Sequence, residues 1–577
     1  MKMNVTKRLA ISFFCGCALL SGAASCVKAD YKLGYSLIPE HDILVTRTVS
    51  IPIDSILTAR LDSLSGYSSL RMVVGGIRDK DLGLTRHGCA VKLAPINDSL
   101  VWGTNIRFIS MHVDLQKDSI DTAGDESNRH ILQNIRVYAL EKDTTYLYSS
   151  DICCADFIGK TPICVGSPVY DGGDSLGFHL TEEFASTYWK GFEGTVEKAD
   201  TINYYTKNHP GFFICADDPE GLGGRVNFFT TDVSLDDDYY LTGSLASLSV
   251  RFDLGDRKDV DTTYYFSMGG QAPGVYTSFY AFNTCEHESE QIAESGKFGT
   301  PVIVNGNKMY YDREKVLIEG GIGFKPVITA THLRSLVARA IADTLANYGY
   351  TDVEKALRDT SVMLNRATLV LPYQYVSYED RNFCPEYLNP TVCVTKRAVD
   401  ASQRDTLRCA SITDSTVEDE NQGEIDYSRE RFCPDITFHL QDILRKDPST
   451  KAGRDTLGMQ KIWLMVLHDE TYITKTESDY DEDYYAQLAY MSYYNQLYGG
   501  YGYGSYSGYG YNSYDNYYSY YLLQSYYNSL SSSSSSSTEV TTADKDRFYK
   551  AWLSGPEAQG EKPRLQLTFS FLRNSLK

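Results

Sequence analysis

The chain has no stripe of Lys and Arg: 55 cations stand against 75 Asp and Glu, for a formal net charge of −20 and a pI near 5.0. Nucleic-acid binding is excluded on that ground, because affinity for a polyanion rests on clustered cations that release counterions. No second long apolar run follows the N-terminal one, so no later segment is expected to cross a membrane as a helix. No C-x-x-C spacing occurs, which removes the common zinc and thioredoxin-like signals. H-E-x-x-H, the P-loop and G-x-S-x-G are likewise missing. The glycine-rich run from Tyr498 fails the dinucleotide pattern, since Ser505, Ser507 or Ser513 stands where the last glycine is required. Tryptophan is scarce, with only Trp102, Trp189, Trp463 and Trp552, so an aromatic platform for a sugar ring would have to be built of tyrosine.

What is present begins at the N-terminus, "MKMNVTKRLAISFFCGCALLSGAASC". Lys2, Lys7 and Arg8 make a basic start, Leu9 to Leu20 an apolar run and Ser21 to Ser25 a small-residue region, which is the layout of a secretory signal peptide. "AASC" resembles a bacterial lipobox with Ala23 where Leu is commoner, and that rule makes Cys26 the lipid-bearing first residue of the mature chain. Acyl chains there would anchor the protein at about 0.8 kcal/mol per buried CH₂ while the folded part stays in water. Ten cysteines follow Cys26, and an oxidising compartment permits disulfides among them, with no pairing deducible from spacing.

Short β-type runs in the first half recur in the second in the same order. "GGI" stands at Gly75 and Gly320, "MHVDLQ" at Met111 answers "ATLVLP" at Ala367, and "IRVYAL" at Ile135 answers "TVCVTK" at Thr391. "FHL" recurs at Phe178 and Phe438, "GFFICADD" from Gly211 matches "IWLMVLHD" from Ile462, and "LSVRFDL" from Leu248 matches "LQLTFSF" from Leu565. The offsets are 245, 256, 256, 260 and 251, and the last jumps to 317. Ordered matches at near-constant spacing predict two copies of one module, and the jump places an insertion before the final strand of the second. Alternation of apolar and polar residues, with many Val, Ile, Phe and Thr between Gly, Asp and Asn turns, predicts half-buried strands.

The expected fold is therefore mainly β: two tandem β-sandwich, jelly-roll-like modules, with a short helical element in the second and a low-complexity Tyr/Gly/Ser insertion. The helix is "ATHLRSLVARAIADTLANYG", with Leu333, Leu336, Val337, Ile341 and Leu345 on one face and Gly349 suited to its end. The division is 1–25 signal peptide, 26–45 tether, 46–285 first module, 286–310 connector, 311–475 second module, 476–544 disordered insertion and 545–577 final strand.

The order "LGYSLIPEHDILV" from Leu33, "VVGGIRDKDLGLTRHGCAVKL" from Val73, "HPGFFICADD" from His209 and "KPRLQLTFSF" from Lys562 resembles the Bacteroidetes lipoprotein family catalogued as domain of unknown function 4270. The resemblance covers most of the mature chain and implies envelope localisation and a β-rich fold; it carries no activity and no catalytic residue. Asp-(Ser/Thr)-(aliphatic, Met or Thr), which resembles the O-glycan acceptor of exported proteins in that phylum, occurs twelve times between Asp54 and Asp455. Asp-Ser and Asp-Thr are also good turn and cap residues, so the enrichment has a structural reading of equal weight.

Few residues group into chemistry. "CEHESE" from Cys285 has the residue types of a metal site, but in a polar connector such a cluster reads as solvated, and no metal is expected. His179 and His439, at matching "FHL" positions, read as structural. No cofactor is called for; "DGGDS" from Asp171, "LDDDYY" from Leu235 and "DYDEDYY" from Asp479 could supply oxygens to calcium, though none has EF-hand spacing. Nothing singles out a carboxylate pair for glycoside hydrolysis. Between Tyr480 and Tyr527 lie 19 of the 46 tyrosines, and Thr476 to Asp544 contains no Lys, Arg or Pro. Rings without cations disfavour single-stranded nucleic acid. Tyr498, Tyr501, Tyr503, Tyr506 and Tyr509 are the candidate contact residues, set against a low-complexity loop without a specific site.

Together these features predict a non-catalytic envelope lipoprotein, a binding or structural component at the outer membrane, periplasmic or surface-exposed. Its partners are the membrane through its lipid and an envelope protein or glycan. The competing reading is a surface glycan-binding lipoprotein or a glycoside-acting enzyme on a sandwich scaffold.

Overall fold

The computed structural model describes residues 43–572 apart from positions 62, 69–70, 97–98, 119–130, 141–147, 199–208, 236–240, 269–270, 273–274, 277–280, 360, 376–380, 382, 397–405, 414–421 and 474–536. Cys26 and the candidate tyrosines Tyr498, Tyr501, Tyr503, Tyr506 and Tyr509 lie outside the described residues, as do Asp479 and its acidic neighbours. The chain is mainly β, 50% strand and 16% helix, in several antiparallel sheets with no barrel among the described residues.

Strand pairing repeats between the halves. In the first, Thr104–Gln116 pairs with Leu245–Leu254, which pairs in turn with Arg257–Ser267. In the second, Val362–Gln374 pairs with Arg564–Leu572, which pairs with Leu44–Pro52. A second sheet follows the same rule: Gln133–Ala139, Phe212–Ala216, Gly83–Val91 and Ala281–His287 are neighbours in that order, as are Asn389–Lys396, Ile462–Met465, Phe324–Ile328 and Leu57–Arg60. Four of the six sequence matches thus fall on strands with equivalent neighbours. Period-2 burial explains why they were readable: Leu248, Val250 and Phe252 point inward from Leu245–Leu254, and Leu565, Leu567 and Phe569 from its counterpart. Each such side chain contributes roughly 1.5–3 kcal/mol by leaving water.

The other two matches do not hold. Gly75 is inside Arg71–Asp79, whereas Gly320 lies in the turn after Lys315–Glu319. His179 ends the strand Ser175–His179, but His439 is on the helix Thr437–Arg445, buried, its Nε2 3.1 Å from the Gln460 carbonyl. A helical turn carries Phe438 outward to 44% exposure, so the "FHL" likeness is coincidental. The proposed boundaries also shift. Leu44–Pro52 and Leu57–Arg60 sit in the second half's sheets, filling the positions that Arg257–Ser267 and Ala281–His287 fill in the first. The chain enters through the second half, builds the first, and returns. The 286–310 interval is no bare connector, for it contains the helix Ser289–Glu294, the strand Thr300–Val304 and the start of Asn307–Tyr311.

The expected helix spans Ala330–Ala346, capped by Thr329, whose side chain accepts the His332 amide, and it buries all five residues of its apolar face. Apolar side chains gather in one large cluster of first-half residues and one of second-half residues joined by Ile51, Ile53 and Ile56. A third cluster, including Val73, Phe228, Phe298, Phe324 and Trp552, draws on both halves.

Candidate functional site

Where the halves meet, the turn from one strand to the next builds a buried polar centre. Gly83–Val91 and Ala281–His287 are antiparallel, with His87 directly opposite Cys285 and Thr85 opposite His287. Alternation then sends Cys285 and His287 to one face and Glu286 and Glu288 to the other. Glu286 accepts the Cys154 amide at 2.6 Å, and Glu288 accepts the Leu84 amide at 3.0 Å. On the inner face Cys285 Sγ lies 3.0 Å from His287 Nε2 and 3.5 Å from His87 Nε2. His287 Nδ1 lies 2.8 Å from Glu319 Oε1, and Glu319 Oε2 accepts from Ser289 Oγ at 2.9 Å and from the Phe324 amide at 3.0 Å.

The second half closes this centre. After Glu319 the chain turns through Gly321, whose φ of +58° is in the region that favours glycine. A Cβ there would stand 3.0 Å from His287 Nε2, 3.1 Å from Cys285 Sγ and 3.2 Å from the Lys545 carbonyl. Buried Lys325 donates to the carbonyls of Glu319, Gly321 at 3.0 Å and Gly323 at 3.3 Å, holding the turn over the thiol.

Burial alone would raise the Cys285 thiol, but His287 and His87 outweigh it and pull it down to about 6. His287, pushed down by burial, is carried up to about 10 by Cys285 and Glu319. Burial raises Glu319, yet His287 and the hydrogen bonds hold it below the usual carboxylate value, and burial brings Lys325 down to about 8. At neutral pH two anions, Cys285 and Glu319, face two cations, His287 and Lys325.

A thiolate beside an imidazolium oriented by a carboxylate is the constellation of a nucleophilic cysteine. Here it is sealed: Cys285 is 3% exposed, and the His287 and Glu319 side chains 2% and 0%. A substrate carbonyl has no approach to Sγ, so the group acts as a buried polar joint between the halves. Among the described residues no group of three or more His, Cys, Asp and Glu is placed to hold a metal ion. "CEHESE" is thus only partly solvated: Cys285, His287 and Ser289 are buried, whereas the Glu290 side chain is 59% exposed. Its partners His87 and Glu319 are far away in sequence; the one local signal was the i, i+2 spacing of Cys285 and His287 on a strand.

The proton count of this pair gives it an unusual pH signature. Cys285, depressed from 9.0 to about 6, makes stability rise with pH across that interval; His287, raised from 6.5 to about 10, makes it fall across its own. Between 6.5 and 9.0 the two slopes cancel, because folded and unfolded pairs each bind one proton. We expect ultraviolet thiolate absorbance in the native protein that disappears on acidification through about pH 6, with the pair contributing no stability change between 6.5 and 9.0. Absorbance that appears only in alkali, or survives Cys285→Ser, would contradict the ion pair.

The remaining sequence candidates disperse. Asp171 of "DGGDS" spends its carboxylate on the Gly173 amide at 2.9 Å in a turn. All four tryptophans are buried, so none offers a platform. A cleft of about 410 Å³, lined among others by Asn305, Thr329, His332, Ser335, Gly458 and Lys461, shares no residue with the Cys285 centre and has no Phe, Tyr or Trp in its lining. The Tyr-rich segment has a defined base: Leu467–Ile473 pairs in register with Ser537–Ala543, Ile473 opposite Ser537, so the two ends of the segment 474–536 leave one antiparallel strand pair. Residues 537–543, assigned above to the disordered insertion, are therefore strand. At the foot of this stem, Asp544 Oδ2 accepts from Tyr549 Oη at 3.1 Å, and Asp546 Oδ1 accepts from Asn283 Nδ2 at 3.4 Å, two residues from Cys285.

No family model matches the chain, and neither a curated protein nor a solved structure matches it.

Proposed function

We propose that the protein is a non-catalytic lipoprotein of a Gram-negative envelope, anchored through Cys26, built of two β-sandwich modules, and making contact with an envelope partner through its tyrosine-rich hairpin loop. The observation that carries this reading is the hairpin. Seven residue pairs hold the two ends of the low-complexity segment side by side on the folded body, which is how a scaffold presents a contact segment. The likeness to the lipoprotein family and the signal-like N-terminus support the envelope assignment; the equivalent strand neighbours of the two halves support the two-module layout. The sealing of the only cysteine–histidine–carboxylate relay among the described residues supports a non-catalytic role. The glycan reading has weaker support, because the tryptophans are buried and the cleft near His332 is lined by no Phe, Tyr or Trp.

The test is mild crosslinking in intact cells, comparing the full chain with one lacking 498–536, a deletion that spares the stem. Loss of one defined envelope partner on deletion is the expected result, with Cys26→Ala shifting the protein out of the membrane fraction. An unchanged partner set would refute the loop's role, and membrane retention by the Cys26 variant would refute the anchor.

A further inference from the structure

We propose that Cys393 and Cys409 form a disulfide in the exported protein, and that this bond braces the edge of the sheet against which the stem of the tyrosine-rich hairpin packs. Both are thiols in this structure. They are directly opposite on the antiparallel strands Asn389–Lys396 and Thr406–Ser411. Opposed residues in such a pair have Cα atoms about 4.5–5.5 Å apart, inside the window of about 4.4–6.8 Å that a disulfide spans. Their Sγ atoms are 2.7 Å apart, closer than two sulfurs pack without bonding. Met465 Sδ is 3.8 Å from Cys393 Sγ, and the apolar surroundings give two thiols little to donate to. As thiols the pair is crowded and poorly hydrogen-bonded; as a disulfide it fits its apolar setting.

The position matters for the hairpin. Thr406–Ser411 is the last strand of its seven-stranded sheet, held on one side only, and it lies against Ser537–Ala543 of the stem. Cys409, Met465, Trp463, Leu467 and Ala543 share one small core. Cross-linking the edge strand to its neighbour removes the independent fraying of that edge and keeps this core closed beneath the stem.

The bond forms by exchange. One thiolate attacks the disulfide of a thiol–disulfide oxidoreductase, releasing a donor thiolate that takes up a proton. The second cysteine then displaces the mixed disulfide, so one S–S bond forms as another breaks and two electrons and two protons pass to the donor. The inference rests on the export reading for its oxidant, since cytosolic thiols stay reduced.

The experiment is alkylation and peptide mapping of the full-length protein taken from the envelope fraction, with a purified, reduced sample reoxidised by oxidised glutathione beside it. A linked peptide pair carrying Cys393 and Cys409 in both samples is expected, together with a lower melting temperature after reduction that Cys393→Ser reproduces and that reduction does not lower further. Free thiols from cells with a link formed in vitro would overturn the inference through its export premise. Free thiols in both would overturn it through its geometry.

Discussion

Glu319→Ala is expected to destabilise the protein by about 3–5 kcal/mol, the loss typical of removing one partner of a buried ion pair. The carboxylate is wholly inaccessible, accepts from Ser289 and the Phe324 amide, and faces His287 at 2.8 Å. Its removal leaves an imidazolium and the Lys325 ammonium facing the Cys285 thiolate alone, so a net positive charge stays in a site closed to water. His287 then loses one of the two partners that raise it, and its depression by burial gains weight. The consequence is specific: the thiolate absorbance of Cys285 should fall in the variant at neutral pH, because a neutral imidazole no longer holds the sulfur ionised. Glu319→Gln keeps the shape and the acceptor oxygen, so it should cost less while losing the same absorbance. Denaturant midpoints and ultraviolet titration of both variants check this. An unchanged midpoint in the alanine variant would mean that the joint carries no stability, and unchanged absorbance in both would mean that Glu319 does not act through His287.

The joint shows where the reading of sequence stops. Strands with a buried face announce themselves by period 2, and those with one copy in each half could be aligned: "LSVRFDL" and "LQLTFSF" occupy equivalent places because both alternate over a sheet of the same order. The helix from Ala330 was legible for the same kind of reason, its five apolar residues recurring at helical spacing. "GGI" and "FHL" misled because three residues are too few to carry a period, and a Phe-His-Leu triplet fits a strand or a helix turn equally. The placement of Leu44–Pro52 and Leu57–Arg60 in the second half was out of reach, since a strand's neighbours are set by long-range pairing that its own pattern does not encode. Cys285, His287 and Glu319 failed for that reason too: the residue types were noticed, but the burial that turns a charged string into an ion-pair network comes from Gly321, Lys325 and Lys545, which only the fold brings over them.

Lys550→Met should have an effect of the same size from the other side of that joint. Lys550 stands directly opposite Glu319 in the pairing of Lys315–Glu319 with Lys550–Ser554, yet its ammonium reaches the first half, 2.9 Å from Asp79 and 2.8 Å from Asp81. Its side chain is fully buried and the two carboxylates are 12% and 20% exposed. Methionine fills the stem but leaves Asp79 and Asp81 with Lys297 as their remaining cation, on Asp81 at 3.2 Å, a loss of up to about 3–5 kcal/mol by the same rule for broken buried pairs. Because the penalty is the uncompensated charge rather than the missing bond, adding Asp79→Asn and Asp81→Asn should recover much of it. The pH profile separates this from a packing defect. Burial would raise Asp81, but the hydrogen bonds and charges of Lys550 and Lys297 hold it below 3.8. A depressed carboxylate contributes stability that is present above its ordinary value and is lost as pH falls through its folded value. Burial likewise opposes the ammonium, which the two aspartates raise above 10.5, so its share is present at neutral pH and is lost only in strong alkali. The native protein should therefore lose stability below about pH 4, and Lys550→Met should lose less over the same interval, since Asp81 keeps only Lys297 to hold it ionised. Unfolding midpoints of the single and triple variants between neutral and acid pH measure this directly. A single variant as acid-sensitive as the native protein, with no recovery in the triple variant, would assign the loss to packing and remove the ion triad from the account of how the halves hold together.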